Sequence, residues 1–187
     1  MLLAGVFLTV FDVAVDNIAA EKAEQAMEKL SVRIKERVHG KEKPGDSPLK
    51  EKLGEGVVSY VTIEEYTYIG YISIPYIGID LPVLADCSYR NLNIAPSLYS
   101  GSYYGNDMVI AAHDYTSHFG RLNTLYKGAD VIFTDVNGNS TTYEVEKKEE
   151  LEPVDIDKMK ASEYALSLFT CNFDGTARFT VRCNVKK

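Results

Sequence analysis

A mostly β fold, a closed or nearly closed barrel with short helical inserts and a helix ahead of it, is what the sequence predicts, on three observations. The second half is rich in Tyr, Val, Ile and Thr, residues that suit a pleated, half-buried surface; the whole chain holds 13 Tyr against 7 Phe and no Trp. About eight short apolar or β-branched runs recur at the spacing of a small barrel. Turn residues separate them, as at Pro75 to Gly78 and Asn137-Gly138. With 187 residues, 45% of them hydrophobic, there is room for one domain with a real core plus a short appendage.

Taken in order, residues 1–15 are apolar apart from Thr9 and Asp12. The run is shorter than the roughly 20 residues that cross a bilayer and lacks the basic start of a signal peptide. It reads as the remnant of an N-terminal membrane anchor, with a buried or partner-bound helix as the alternative. Residues 16–39 read as an amphipathic helix: Asp16 is placed to cap it, Glu21, Glu24 and Glu28 come early, and Lys29, Arg33, Lys35 and Arg37 come late, which suits the helix dipole. Ala23, Met27, Leu30, Ile34 and Val38 form its apolar stripe, expected to pack on the domain. Residues 40–56, with Pro44-Gly45, Pro48, Gly54 and Gly56 among charges, have the composition of a linker, and residues 57–187 form the barrel domain.

Within that domain, Thr67 to Ile74 and Ile79 to Val83 make a hairpin around the Pro75 to Gly78 turn. Residues 85–105 read as irregular, with a short helix near Ser88 to Ile94 and a turn at Gly101 to Asn106. A strand at Met108 to Ala112, a polar loop, a short helix at Phe119 to Tyr126 and a strand at Asp130 to Asp135 follow. Asn137-Gly138 turns the chain into a strand at Thr141 to Lys147. Residues 148–163 are acidic, carry Pro153 and read as a long loop with a helical turn at Asp155 to Lys160. Strands at Tyr164 to Thr170 and Arg178 to Val185 complete the domain.

The net charge of −7, without a Lys/Arg cluster in the last two thirds, argues against a nucleic-acid partner. The three cysteines, Cys87, Cys171 and Cys183, are too few and too scattered for a disulfide scaffold or a zinc knuckle, so at least one thiol is free. Chemistry centres on the junction of the last two strands. The run Ser167-Leu168-Phe169-Thr170-Cys171 ends at a cysteine and, after a Gly-containing turn, the next run opens at Arg178. The two face each other across a hairpin-like junction, and a cation beside a thiol favours the thiolate that nucleophilic catalysis needs. Arg182 shares a strand face with Arg178 but lies farther from the turn; Cys183 falls on the opposite face, in the core. Cys87 lies in irregular chain and is a poor candidate for a nucleophile.

Of the three histidines, His39 ends the N-terminal helix and His118 lies in mid-loop, where solvation is expected. His113 ends the apolar run Met108-Val109-Ile110-Ala111-Ala112, where a strand offers a rigid side chain to a cleft. Asp114 suggests a triad, but adjacent residues at a strand end point apart.

These residues resemble the sortases, the Gram-positive cysteine transpeptidases. Leu168-Phe169-Thr170-Cys171 followed by Arg178 is similar to the nucleophile motif of that family, with Ser167 where threonine is usual. Val109-Ile110-Ala111-Ala112-His113, with Phe119 and Leu122 downstream, is similar to its histidine segment, with Ala112 in place of a commoner glycine. Ile72-Ser73-Ile74-Pro75 and Leu81-Pro82-Val83 fit its first hairpin, so the likeness runs over about residues 67–185. The resemblance implies an eight-stranded barrel anchored at the extracellular face of the cell membrane. It also implies a thiol that cleaves the C-terminal sorting signal of surface proteins and passes the acyl group to an amine of the cell wall or its precursor. It casts Cys171 as nucleophile, His113 as acid and base, and Arg178 as the donor to the carbonyl oxygen, with Thr170, Ala111 and Ala112 beside the peptide. No cofactor is required, although Glu149, Glu150, Glu152, Asp155 and Asp157 could hold Ca2+, as some sortases do in that loop; solvated charge is the plainer reading. A cysteine hydrolase without an amine acceptor, and a non-catalytic β-barrel interaction domain, remain the competing functions.

Overall fold

Period-two alternation decides which side chains fill the barrel. On the last two strands Leu166, Leu168, Val181 and Cys183 point inward and are fully buried, joined by Ile72 and Ile74 from the first hairpin and Met108 and Ile110 from the middle of the chain. The computed structural model describes residues 2–40, 52–53, 56–160, 163–171 and 175–187. Its elements are α1 (Leu2–Val38), β1 (Lys52–Leu53), β2 (Gly56–Val57), β3 (Val61–Ile63), β4 (Tyr66–Ile74), β5 (Ile79–Leu84), α2 (Tyr89–Leu92), β6 (Ser97–Ser100), β7 (Met108–Ala112), β8 (Asp130–Asp135), β9 (Ser140–Leu151), α3 (Ile156–Met159), β10 (Leu166–Cys171) and β11 (Arg178–Val185).

Among the described residues, nine strands form one sheet in the order β3-β4-β5-β6-β7-β10-β11-β9-β8, and β4 pairs again with β8. That second pairing closes a ring of eight, with β3 as a spur on β4. The same edge of β4 serves both neighbours: Tyr66 to Tyr68 pair with β3 and Gly70 to Ser73 with β8. Closure leaves little free edge to recruit other chains, although the side of β5 away from β4 is paired only at Leu84, with Ser97. Gly70 permits it, because a Cβ there would meet the Thr134 carbonyl oxygen at 2.1 Å.

Most pairings are antiparallel, but β7 and β10 run parallel. Two strand C-terminal ends therefore finish side by side, a feature on which the site depends. β6 was expected to be irregular chain; it is held by β7 on one side and by a single parallel bridge, Leu84 to Ser97, on the other. β9 runs on to Leu151, so Glu149 and Glu150 belong to a strand paired with β11 rather than to a loop. The helix expected at Phe119 to Tyr126 is a single 3-10 turn at Leu122–Thr124.

The N-terminal region departs most from expectation. α1 is one continuous helix from Leu2 to Val38, with no start at Asp16, which lies in mid-helix. Its buried residues are Ala19, Ala23, Ala26, Leu30 and Ile34. Compared with the expected stripe, Met27 is only partly covered and Val38 is 58% exposed. Leu30 and Ile34 join Val61, Tyr68, Leu84 and Val136 in a cluster between helix and barrel; each such side chain contributes about 1.5–3 kcal/mol.

The expected membrane anchor, and with it placement at the outer face of a membrane, is overturned. Among the described residues no helix is long and apolar enough to cross a membrane. The physical reason is in the sequence of α1, where Asp12, Asp16 and Glu21 interrupt the apolar run. Most of the expected linker, residues 41–51 and 54–55, lies outside the described residues.

Candidate active site

The parallel register of β7 and β10 places Thr170 beside Ala112, so the residues that follow, Cys171 and His113, leave the sheet together. The antiparallel register of β10 and β11 pairs Cys171 directly with Arg178. Two residues into the sheet from each, Phe169, Ala111 and Thr180 lie on the same outer face, opposite the core. A thiol, an imidazole and a guanidinium thus form one row across three adjacent strands. A non-catalytic barrel would not require such convergence.

Each member of the row is held by its surroundings. The Arg178 guanidinium lies 5.4 Å from the Phe169 ring centre and 6.0 Å from that of Tyr99. The two rings meet edge to face at 5.2 Å and form a fixed cradle for the cation. Its NH1 is buried without a hydrogen-bonding partner among the described residues, so a donor is free for an incoming acceptor. The His113 ring packs between Tyr89, edge-on at 5.9 Å, and Tyr115 at 4.9 Å. Burial pushes its pKa below the ordinary value, with Asp114 pulling the other way. Asp114 acts on it through charge alone, as its place at the strand end suggested. The His113 Nε2 is likewise buried and unpartnered among the described residues.

Cys171 itself is exposed. A cleft of about 300 Å³ beside it is walled by Asp114, Gly120, Asn123, Glu150, Thr170 and Phe179. A larger cavity of about 560 Å³ between α1 and β5 holds none of the three candidate residues; the smaller one contains the Cys171 thiol. The Thr170 hydroxyl donates to the Cys171 carbonyl oxygen at 3.4 Å. Ala111 lies on the reactive face, under Phe169 and Leu151. Ala112 does not: it is turned into the barrel core, and its small size serves packing there rather than room beside His113.

Residues 72–186 match the Sortase domain family. The chain belongs to the sortase family. As a sortase it is a cysteine transpeptidase, and its barrel has solved counterparts. Sortase C of Clostridium perfringens superposes with a TM-score of 0.59 at 19% identity over 97% of this chain and 99% of that one. A sortase C of Streptococcus pneumoniae gives 0.61 at 21% identity over 89% and 97%. Listeria monocytogenes sortase A gives 0.58 at 20% over 64% and 88%. At these identities the likeness is one of fold. No curated protein matches the chain.

The sortase barrel also disposes of the decoys. Arg182 is 1% exposed and fully engaged. Its Nε donates to Glu149 Oε1 at 2.8 Å, its NH1 to the Met159 carbonyl at 2.9 Å and the Ser167 hydroxyl at 2.8 Å, and its NH2 to the Lys158 carbonyl at 2.6 Å. It is a structural pin for the β9–β10 connection. Glu149, expected to be solvated, is its counter-ion and also pairs with Lys147; Asp155 pairs with Lys158. Among the described residues no three His, Cys, Asp or Glu gather as metal ligands. Cys183 is buried in the core, and all three cysteines are free thiols.

Two neighbours were not foreseen. Cys87, distant in sequence from Arg178, packs near Phe169 and senses the charge of that arginine in space. Burial, reinforced by Asp86, nevertheless pushes its thiol up, against Arg178, so it is the poorer nucleophile. His118, expected to be solvated, is 0% exposed. Burial, reinforced by the charge of nearby His113, pushes its imidazole down to about 4, against the pull of Asp16.

That burial has a pH signature. The unfolded chain takes up a proton near the ordinary value of 6.5, which the folded chain refuses until about 4. The unfolded state therefore binds more protons in this window, and stability falls as pH drops through it, by about 3 kcal/mol in all. Urea unfolding at about pH 7 and about pH 4.5 should show the loss, and His118→Phe should remove most of it. Equal acid sensitivity in wild type and variant would assign the effect to other groups.

Proposed function

We propose that Cys171, His113 and Arg178 carry the transpeptidation and that the acyl donor is the C-terminal sorting signal of a surface protein. The observation that supports the roles is the single row these side chains form on the outer face of β7, β10 and β11. Cys171 Sγ attacks the scissile carbonyl and its proton passes to His113. Negative charge builds on the carbonyl oxygen, where the free donor of Arg178 meets it. The imidazolium of His113 then protonates the leaving amine, giving the thioacyl-enzyme and releasing the rest of the signal. An incoming cell-wall amine attacks the thioester, His113 takes its proton, and a new amide leaves with the thiol restored.

The burial that lowers the His113 pKa suits this order, because the ring is neutral when it must accept the thiol proton. Thr170, at the rim of the cleft, and Ala111, on the reactive face, lie where the acyl segment would pass.

The test is a panel of sorting-signal peptides incubated with the protein and a soluble amine. The expected result is an amide joining the acyl fragment to the amine. A carboxylate as the only product, at every amine concentration, would mean that water rather than an amine resolves the thioester.

A further inference from the structure

The loop from His113 to Arg121 is closed on itself. The Phe119 N–H donates to the His113 carbonyl at 3.1 Å, and the N–H groups of His118 and Gly120 donate to the Tyr115 carbonyl at 2.9 Å. Gly120 allows this tight return, since a Cβ there would meet the Asp114 carbonyl oxygen at 2.3 Å. The rings stack in series: His118 lies 5.4 Å from Tyr115, and Tyr115 lies 4.9 Å from His113. A displacement of the 117–118 corner is therefore passed through packed rings to His113.

That corner is held from outside the barrel. Asp16 Oδ1, in the middle of α1, accepts from the Ser117 N–H at 3.0 Å and from its hydroxyl at 2.5 Å, across 101 residues of sequence. An ionised carboxylate makes these the stronger, charge-assisted kind of hydrogen bond. The Ser117 bonds hold the Asp16 carboxyl below the usual range, although burial opposes them. Near Asp16, α1 is held by Ala23, which packs into the barrel core, so the anchor point does not drift.

We propose that Asp16 is a positioning residue: through Ser117 it fixes the 113–121 loop, and thereby the orientation of the His113 ring toward Cys171. The inference rests on the role given to His113 above. It makes α1 a working part of the catalytic site rather than an appendage. The charged and titratable groups facing His113 are Asp114, Tyr115 and His118 on its own loop, Tyr89 on α2, Cys171 on β10 with Arg178 of β11 beyond it, and, through the loop, Asp16 on α1.

The experiment uses the full chain and whichever peptide the panel identifies. Asp16→Ala should lower kcat about ten-fold with KM nearly unchanged, a size in keeping with a sub-ångström misplacement of a catalytic group. It should also move the His113 ring titration, followed by NMR, up toward its ordinary value as the ring loses its packing. Asp16→Asn keeps an oxygen for both Ser117 donors and should restore most of the loss. Ser117→Ala, which keeps the N–H, should fall between them, and it carries the test if Asp16→Ala does not fold. Leu30→Ala loosens α1 away from the loop and serves as the stability control, with kcat and the His113 titration expected at wild-type values. Wild-type kcat and titration in Asp16→Ala, or the same kcat loss in Leu30→Ala, would overturn the inference. If His113→Ala is inactive while Asp16→Ala is wild type, only the positioning role falls. If His113→Ala keeps its turnover, the reading of His113 falls and takes the positioning role with it.

Discussion

Cys171→Ala should abolish turnover, with a loss of about 10⁴-fold or more, because it removes the thiol proposed to form the covalent intermediate. Cys87→Ala should stay within about two-fold of wild type, since burial keeps that thiol protonated although it lies near Arg178. Mass spectrometry of the protein quenched during turnover should find the acyl fragment on Cys171 in wild type and in Cys87→Ala, and on no residue in Cys171→Ala. Acyl transfer that survives in Cys171→Ala, or that moves to Cys87, would reassign the nucleophile. The two variants are informative together because both thiols lie near one cation and differ chiefly in exposure.

Arg182→Ala should be the most destabilising change outside the hydrophobic core. It removes a buried cation together with the donors that satisfy Glu149, Ser167 and the carbonyls of Lys158 and Met159. Deleting one member of such a buried, hydrogen-bonded set costs about 3–5 kcal/mol. For a domain of this size that corresponds to about 6–20 °C in Tm. Arg182→Met fills the same space without the charge and should lose less, leaving Glu149 to Lys147. Urea unfolding with an unchanged m-value would place the effect in the native state. A loss under about 1 kcal/mol in Arg182→Ala would mean that water replaces the guanidinium and that the pin is not structural. Limited proteolysis between β9 and β10 offers a second readout, since α3 is tied to the barrel through this side chain.

The barrel was legible where sequence and tertiary demand agree. Met108 to Ala112, Asp130 to Asp135 and Arg178 to Val185 are apolar or β-branched runs bounded by turn residues, and the strands have those limits. Ser97 to Ser100 escaped notice because four residues with serine at both ends carry little propensity; pairing with β7 makes them a strand. Asp16 looked like a helix cap because a carboxylate preceded an amphipathic pattern. Its partner is a serine in a distant loop, and no local pattern announces that. His118 looked solvated for the same reason, since only tertiary packing brings α1 over it. The alignment of Cys171, His113 and Arg178 was legible because a cysteine, a histidine and an arginine each stood at a strand end. The nearness of Cys87 and the aromatic cradle of Tyr99 and Phe169 depend on which strands become neighbours, and a single sequence does not encode that in any short window.

The parallel pairing of β7 with β10 has a consequence for how activity arises during folding. Cys171 and His113 come from segments distant in sequence, and Arg178 comes opposite Cys171 when β11 has paired with β10. Such non-local pairings form late and slowly. A nascent chain in which β11 is still unpaired thus carries an exposed thiol without its cation. Register is equally unforgiving: a one-residue slip of β11 would turn Arg178 inward and Phe179 outward. The bulge between Arg182 and Cys183 in the β9 pairing breaks the regular ladder and so marks one alignment as distinct. The three side chains therefore come together only when β7, β10 and β11 have all paired in register.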